Sequence, residues 1–162
     1  MKHLKTYKIF ENIDTIIRDF QDILLELSDD RFNIQVKSGD HHAYNKCIEI
    51  TISKDGGNFD FWTKRNIGEL TPFKFIEVKD ELIRLLEYAK SQRWHDFNFE
   101  IVTPYGIGDG VFRSFNGAYK DSVKIKNDDI IYSYYDVENN QRVYKPIKDD
   151  ENILCVYIGL GK

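Results

Sequence analysis

The sequence predicts an α+β fold: two helices packed on one face of a small, mostly antiparallel sheet (α-β-β-α-β), followed by a β-rich C-terminal part of short hairpins. Three observations predict this class. The segment Phe73–Ser91 has the three- and four-residue apolar spacing of an amphipathic helix. Alternating apolar and polar residues, typical of half-buried strands, lie on both sides of it. After Pro104, glycine- and asparagine-rich turns separate short strand-like runs.

The composition indicates an ordered protein with one core, or one domain with a smaller appendage. The chain has 162 residues, of which 41% are hydrophobic and 14% aromatic, and a chain of this length can bury a substantial core. The change of texture after Pro104 predicts an α+β module in residues 1–104 and a β-rich part in residues 105–162. Packing of the two parts as one domain is the alternative.

Charge and cysteine content argue against several classes of protein. The formal net charge is −4, from 23 basic and 27 acidic residues, so nucleic-acid binding would require a local basic patch. Cys47 and Cys155 lie in strand-like runs and do not make a secreted disulfide framework, so we expect a reducing, intracellular setting. No apolar run approaches the roughly 18 residues of a membrane span, so we expect no membrane association.

The first helix is predicted to begin at Asn12 or Asp14 and to end at about Ser28. Either side chain can accept a hydrogen bond from the free amides at the start of a helix. The apolar stripe of this helix comprises Ile13, Ile16, Ile17, Phe20, Leu24 and Leu27. Such a stripe is expected to be buried against the sheet.

Two alternating runs follow the first helix, and the short loop between them predicts an antiparallel pair. Their apolar faces comprise Phe32, Ile34 and Val36 in the first run and Ile48, Ile50 and Ile52 in the second. Phe59, Phe61 and Trp62 come next. Three aromatic residues so close together fit either a short strand or an aromatic plug, and both interpretations remain open.

The central helix has a buried stripe and a charged opposite face. The stripe comprises Val78, Leu82, Leu85, Leu86 and Ala89. The residues predicted to face away from the core are Lys79, Glu81, Arg84, Glu87 and Lys90. In the strand that follows, Phe97, Phe99 and Ile101 share a face. We expect both helices to cover the same face of the sheet that these strands build.

Short strands are predicted throughout the C-terminal part, because turn residues recur there at close intervals. Asn116-Gly117 is the strongest hairpin signal, and Asn127–Asp129 and Asn139-Asn140 are further turns. The strand-like runs are residues 111–115, 119–125, 130–137, 142–147 and 153–160. The last run is apolar on both faces, which predicts a central buried strand.

The nearest approach to a metal site is the group Asp40, His41, His42 and Cys47, since carboxylate, imidazole and thiolate all bind zinc. Their spacing matches no standard zinc pattern, and Cys47 is equally suited to the core. Ser38 and His42 lack the rigid placement that a nucleophile and its base require. We therefore predict no metal, no cofactor and no enzyme activity.

Two further motifs match known sites only in part. The glycines of residues 106–110 suggest a phosphate-binding loop, but no Lys-Ser or Lys-Thr pair and no helix follows them, so turn geometry is the better interpretation. Glu77 and Lys79, with Asp60 upstream, resemble the acidic and lysine positions of a metal-dependent nuclease. Because both are predicted in the first turn of a helix and not on a strand edge, a nuclease site is not expected.

A mixture of cations and aromatic rings in the C-terminal part could hold phosphates and stack bases. It comprises Arg113, Phe115, Tyr119, Lys120, Lys124 and Lys126. Asp121, Asp128 and Asp129 interrupt the cations, and the net charge of the chain is negative. Nucleic acid is therefore a possible but disfavoured partner.

The exposed side of the first helix is acidic and is the predicted partner-binding surface. Seven acids and a single cation, Arg18, occur between Glu11 and Asp30. The residues assigned to partner binding are Asp19, Asp22, Glu26, Asp29 and Asp30. Such a surface is suited to docking on a basic protein surface or to imitating the charge of nucleic acid. A helix face that is only solvated is the alternative.

The opening MKHLKTYKIFE resembles the start of many small uncharacterised proteins of tailed bacteriophages. The segments LLELSDDRFNIQV and FKFIEVKDELIRLLEYAK are similar to the helix-strand-strand-helix body of those proteins, so the resemblance covers about the first 100 residues. It implies a viral origin and no particular activity.

The resulting hypothesis is a non-enzymatic phage accessory protein that binds a host or viral macromolecule in the host cytoplasm. Inhibition of a host defence system is one function of this kind. A virion-associated protein or assembly component is the first alternative, and a weak nucleic-acid-binding protein is the second. The oligomeric state is left open.

Overall fold

The computed structural model describes residues 12–63, 65–104, 113–116, 123–136 and 138–162, of which 113–116 and 133–136 are described by their backbone alone. The helices are α1 Ile13–Ile23, α2 Leu25–Asp29 and α3 Ile76–Ser91. The strands are β1 Phe32–Ser38, β2 Cys47–Lys54, β3 Phe73–Lys74, β4 His95–Thr103, β5 Arg113–Asn116, β6 Val123–Lys126, β7 Asp129–Asp136, β8 Gln141–Pro146, β9 Asn152–Ile153 and β10 Cys155–Gly161.

A five-stranded sheet in the order β1-β2-β10-β4-β5 forms the centre of the fold, and its pairings are antiparallel. Val156 of β10 lies opposite Ile52 of β2 on one side and opposite Ile101 of β4 on the other. All seven residues of β10 are buried. The prediction of a central buried strand near the end of the chain is therefore confirmed, as is the α+β class.

Both α1 and α3 cover the same face of this sheet, as predicted. The cluster between helices and sheet includes Ile16, Phe20, Leu24, Val78, Leu82, Leu85, Ile50, Phe99, Ile101 and Ile158. Phe20 lies between the helices, with its ring centroid 5.5 Å from that of Tyr88 and 6.2 Å from that of Trp94. Edge-to-face aromatic contacts of this kind add to the stabilisation from apolar burial.

The first helix is divided into two segments at Leu24. The helix begins as predicted, because the Asn12 side chain accepts a hydrogen bond from the Asp14 amide at 3.1 Å. At Leu24 the backbone tightens, and the amide is shared between the carbonyls of Phe20 and Gln21 at 3.3 and 3.2 Å. Leu24 itself is fully buried, so the apolar stripe continues through the interruption.

The central helix begins at Ile76, and the predicted start at Phe73 was wrong. Phe73 and Lys74 form β3, where Phe73 pairs with Ile153 of β9. The amide of Phe75 donates to the Glu151 carbonyl and that of Ile76 to the Asp149 carbonyl, both at 3.0 Å. A distant segment therefore supplies acceptors at the start of the helix, where amides lack intrahelical partners.

Lys79 was predicted to face solvent, but only 8% of its surface is exposed. Its Nζ lies 2.8 Å from Oδ1 of Asp129 and 2.8 Å from Oδ1 of Asp149. Hydrogen bonds to Asp129 and then Asp149 raise the pKa of Lys79. Because Asp129 begins β7 and Asp149 follows β8, this lysine joins α3 to the three-stranded sheet β6-β7-β8.

The opposite face of the central sheet carries a second apolar cluster. It comprises Phe59, Phe61, Leu70, Val102, Leu154, Cys155 and Tyr157. The ring of Phe61 stacks on that of Tyr157, with centroids 4.1 Å apart and planes inclined by 9°. Phe59 and Phe61 are buried and lie outside the strands, whereas Trp62 is 56% exposed. Of the two open interpretations, the aromatic plug is therefore the one that the structure shows.

Truncation of Leu85 to alanine should lower the free energy of unfolding by about 2 to 5 kcal/mol, because it leaves a cavity between α3 and the sheet. Leu85 is fully buried. Urea denaturation measures the loss. Leu25→Ala is the matched control, since Leu25 is exposed and its truncation should cost less than about 0.5 kcal/mol. An equally small loss for Leu85→Ala would show that the stripe is not packed.

Replacement of Lys79 by methionine should destabilise the protein at pH 7 by about 1 kcal/mol, because both carboxylates lose their cation but stay partly hydrated. The raised pKa means that this stabilisation is complete below the unfolded pKa of 10.5 and is lost as the pH rises through the folded value. Denaturation at neutral and at strongly alkaline pH measures both differences. If Lys79→Met lowers the free energy of unfolding by the same amount at both pH values, the ion pair does not stabilise the protein. Lys148→Met, at an exposed site, is the control.

Candidate partner-binding surface

The predicted acids lie along the outer side of α1 and α2. Asp22, Leu25, Glu26 and Asp29 follow the three- and four-residue spacing of a helix, so they lie on one face despite the interruption at Leu24. All four are exposed. We call the surface formed by these residues and Asp30 the acidic surface.

Two of the five predicted acids are bonded to α3. The hydroxyl of Tyr88 donates to Asp19 at 2.9 Å. Nη2 of Arg84 lies 3.0 Å from Oε2 of Glu26, so both of these acids contact α3. Glu26 is also the main cause of the raised pKa of Arg84, with a further contribution from Glu81.

The other three acids, Asp22, Asp29 and Asp30, are exposed and form no ion pair within the described ranges. No basic residue occupies the last turn of α1 or α2. Acids at the carboxyl end of a helix oppose its dipole, at a cost of about 0.3 to 1 kcal/mol each. Asp29 and Asp30, at the end of α2, therefore do not stabilise the helix through its dipole.

Leu25 is the residue of this surface that was not predicted to bind a partner. It is 59% exposed, the largest exposed fraction among the bulky apolar side chains that the structure describes. A signal was present in the sequence, because Leu25 lies outside the predicted apolar stripe. An apolar side chain beside Asp22 and Asp29, which form no ion pair within the described ranges, offers a partner both contact area and charge.

The predicted nucleic-acid residues are brought together only in part. Lys124 and Lys126 are exposed on β6. Nζ of Lys124 lies 5.2 Å from the ring centroid of Tyr144, a β8 residue outside the predicted set. The backbone alone is described for Arg113 and Phe115 in β5, and Tyr119 and Lys120 lie outside the described residues.

The loop that carries His41 and His42 forms aromatic contacts in this structure. The rings of His41 and His42 stack at 4.6 Å, and that of His41 lies 4.5 Å from Phe97. Burial raises the pKa of the Cys47 thiol, which disfavours the thiolate that a metal requires. Within the described part of the chain, no three His, Cys, Asp or Glu side chains are grouped to hold a metal ion.

The acid and lysine positions with a partial likeness to nucleases belong to separate networks. Glu77 accepts hydrogen bonds from Nζ of Lys54 at 2.9 Å and from the amide of Lys74 at 2.8 Å. Asp60 accepts from the amide and hydroxyl of Thr63, both at 2.8 Å. Lys79 bonds Asp129 and Asp149. The glycines of residues 106–110 lie outside the described residues.

The hydroxyl of Tyr157, on the outer face of the central sheet, is also unsuited to proton transfer at neutral pH. Burial, and then the charge of Glu49, raise the pKa of the Tyr157 hydroxyl far above its ordinary value. Glu49 itself lies 3.5 Å from Nζ of Lys37 and 3.5 Å from Nε1 of Trp62. A phenol of this kind is neither a base nor an effective acid near pH 7.

Comparison with known proteins finds no relative: no protein-family model, curated protein or solved structure matches this chain. Among the residues that the structure describes, no helix has the length and apolar character needed to cross a bilayer.

Proposed function

We propose that this protein acts without catalysis, by binding another macromolecule through its acidic surface. The observation that carries the proposal is the exposed side chain of Leu25, with 59% of its surface accessible, among Asp22, Glu26 and Asp29. In protein interfaces, a few residues that become well buried supply most of the affinity, while surrounding charges orient the partner and raise the association rate.

The partner that this surface fits is a protein with a basic surface patch. Asp22, Asp29 and Asp30 project charge that no described cation neutralises. The resemblance of the first hundred residues to small phage proteins supports a host or viral partner, met in the host cytoplasm. Inhibition of a host defence protein is a function of this kind, because blocking a basic functional surface requires only tight binding.

Reversal of Asp22, Asp29 and Asp30 to lysine should slow association with the partner by about tenfold or more at low salt and leave the fold intact. Asp19 and Glu26 stay unchanged, because they bond Tyr88 and Arg84. The partner is first identified as a bacterial or phage protein that the wild type retains and an unrelated control protein does not. Interferometry of the purified partner with the wild type and with the triple variant then gives both rates.

The matched control reverses Asp40, Glu69 and Asp80, which are exposed and lie outside the acidic surface. It makes the same change in net charge and should bind like the wild type. Leu25→Ala should instead raise the dissociation rate, by about fivefold or more, with little dependence on salt. Unchanged binding of the triple variant at low salt would show that the acidic surface is only solvated.

One observation favours nucleic acid as a second candidate ligand, namely the position of Lys124 over the ring of Tyr144, which is 49% exposed. A cation beside an exposed ring can hold a phosphate while the ring stacks on a base. If this is the function, Lys124→Glu with Lys126→Glu should abolish binding of a fluorescent single-stranded oligonucleotide, measured by anisotropy. Tyr144→Ala should weaken it by about 1 to 3 kcal/mol. Weak binding that neither variant changes would contradict this candidate.

A further inference from the structure

A cleft with a volume of about 820 Å³ lies between the end of α3, the start of β4 and strand β6. This volume is in the range of small-molecule sites, roughly 300 to 1,000 Å³. The apolar lining residues are Leu86, Ala89, Trp94, Val123, Ile125 and Leu160. With the exception of Trp94, these are aliphatic residues, which favour an aliphatic ligand over a stacked base.

Cations predominate at the rim of the cleft. Lys90 and Arg93 are exposed at the end of α3, and Lys124 lines the opposite wall. Nζ of Lys162 lies 5.7 Å from the ring centroid of Trp94. The lining also includes His95 and two acids, the exposed Glu87 and the buried Asp96. The accessible charge of the rim is therefore positive, in contrast to the chain as a whole.

Arg93 occupies a backbone conformation that normally selects glycine. Its φ is +64°, and it ends α3 in a motif where the Trp94 amide donates to Ala89 and the Arg93 amide to Lys90. Glycine is the usual residue at this position, because a β-carbon is strained there. The Arg93 side chain is exposed and lines the mouth of the cleft, so its guanidinium is positioned to meet a ligand there.

The dipole of α3 disfavours an anion at its carbonyl end, but capping leaves fewer free carbonyls there to repel one. The carbonyls of Tyr88, Ala89 and Lys90 accept hydrogen bonds from the amides of Gln92, Trp94 and Arg93. Capping of this kind satisfies the last carbonyls of a helix internally.

We propose that this cleft binds a small amphipathic anion, with an aliphatic body against the apolar lining and a carboxylate head held by Lys90 and Arg93. A guanidinium can bind both oxygens of a carboxylate, and a lysine adds a second charge. The site lies apart from the acidic surface of α1 and α2, and it does not depend on the function proposed for that surface.

Titration with decanoate tests this site in the full chain. The protein has two tryptophans, so Trp62→Phe leaves Trp94, in the wall of the cleft, as the sole tryptophan fluorophore. We expect a saturable change in its fluorescence with half-saturation below about 1 mM, weakened by salt. Decyltrimethylammonium, with the same tail and the opposite charge, and acetate, with the head alone, should give no saturable change in that range.

Arg93→Gly should weaken decanoate binding about three- to tenfold and leave the melting temperature unchanged or higher, because glycine relieves the strain. Arg31→Gly is the matched control: Arg31 also has a left-handed backbone, with φ of +68°, directly after the end of α2, and this variant should bind like the wild type. Lys90→Gln should weaken binding similarly. No saturable response, equal affinity for the cationic probe, or unchanged affinity of both cleft variants would each overturn the proposal.

Discussion

The pairing of β10 with both β2 and β4 is the interaction on which the rest of the structure depends. Without β10, the two halves of the central sheet would each end in an open edge, which is unfavourable for a buried strand. The rings of Phe97 and Tyr44 pack directly on the backbone of this strand at its two glycines. A β-carbon on Gly159 would lie 2.5 Å from the Phe97 ring, and one on Gly161 would lie 2.3 Å from the Tyr44 ring. The sheet is therefore completed by residues at the far end of the chain.

Contacts between the helices decide which surfaces remain available for a partner. Tyr88 and Arg84 of α3 bond Asp19 and Glu26, so these two acids face α3, and Asp22, Asp29 and Asp30 are left to solvent. Lys79 has a comparable effect on the other side of α3. Its bonds to Asp129 and Asp149 supplement the apolar packing of the three-stranded sheet against the core, and β6 of that sheet lines the cleft.

The two candidate sites share a departure from local stability rules. Acids crowd the carboxyl end of the first helix, where the helix dipole favours cations. Arginine stands after α3, where the backbone favours glycine. Such departures lower stability by small amounts, and the side chains concerned are exposed to solvent. The opposite charges of the two sites suit different ligands.

The sequence by itself determined the helices, most of the strands, the buried stripe around Leu82 and Leu85, and the burial of β10, because apolar spacing with periods of 3.6 and 2 is a local property of the chain. Only the tertiary structure placed β10 between β2 and β4, turned Phe73 into a strand residue, and buried Lys79 against Asp129 and Asp149, its partners 50 and 70 residues away. The formation of the cleft and the exposure of Leu25 were also decided only by the tertiary structure. Each of these depends on which distant segments meet, and side-chain periodicity carries no information about that choice.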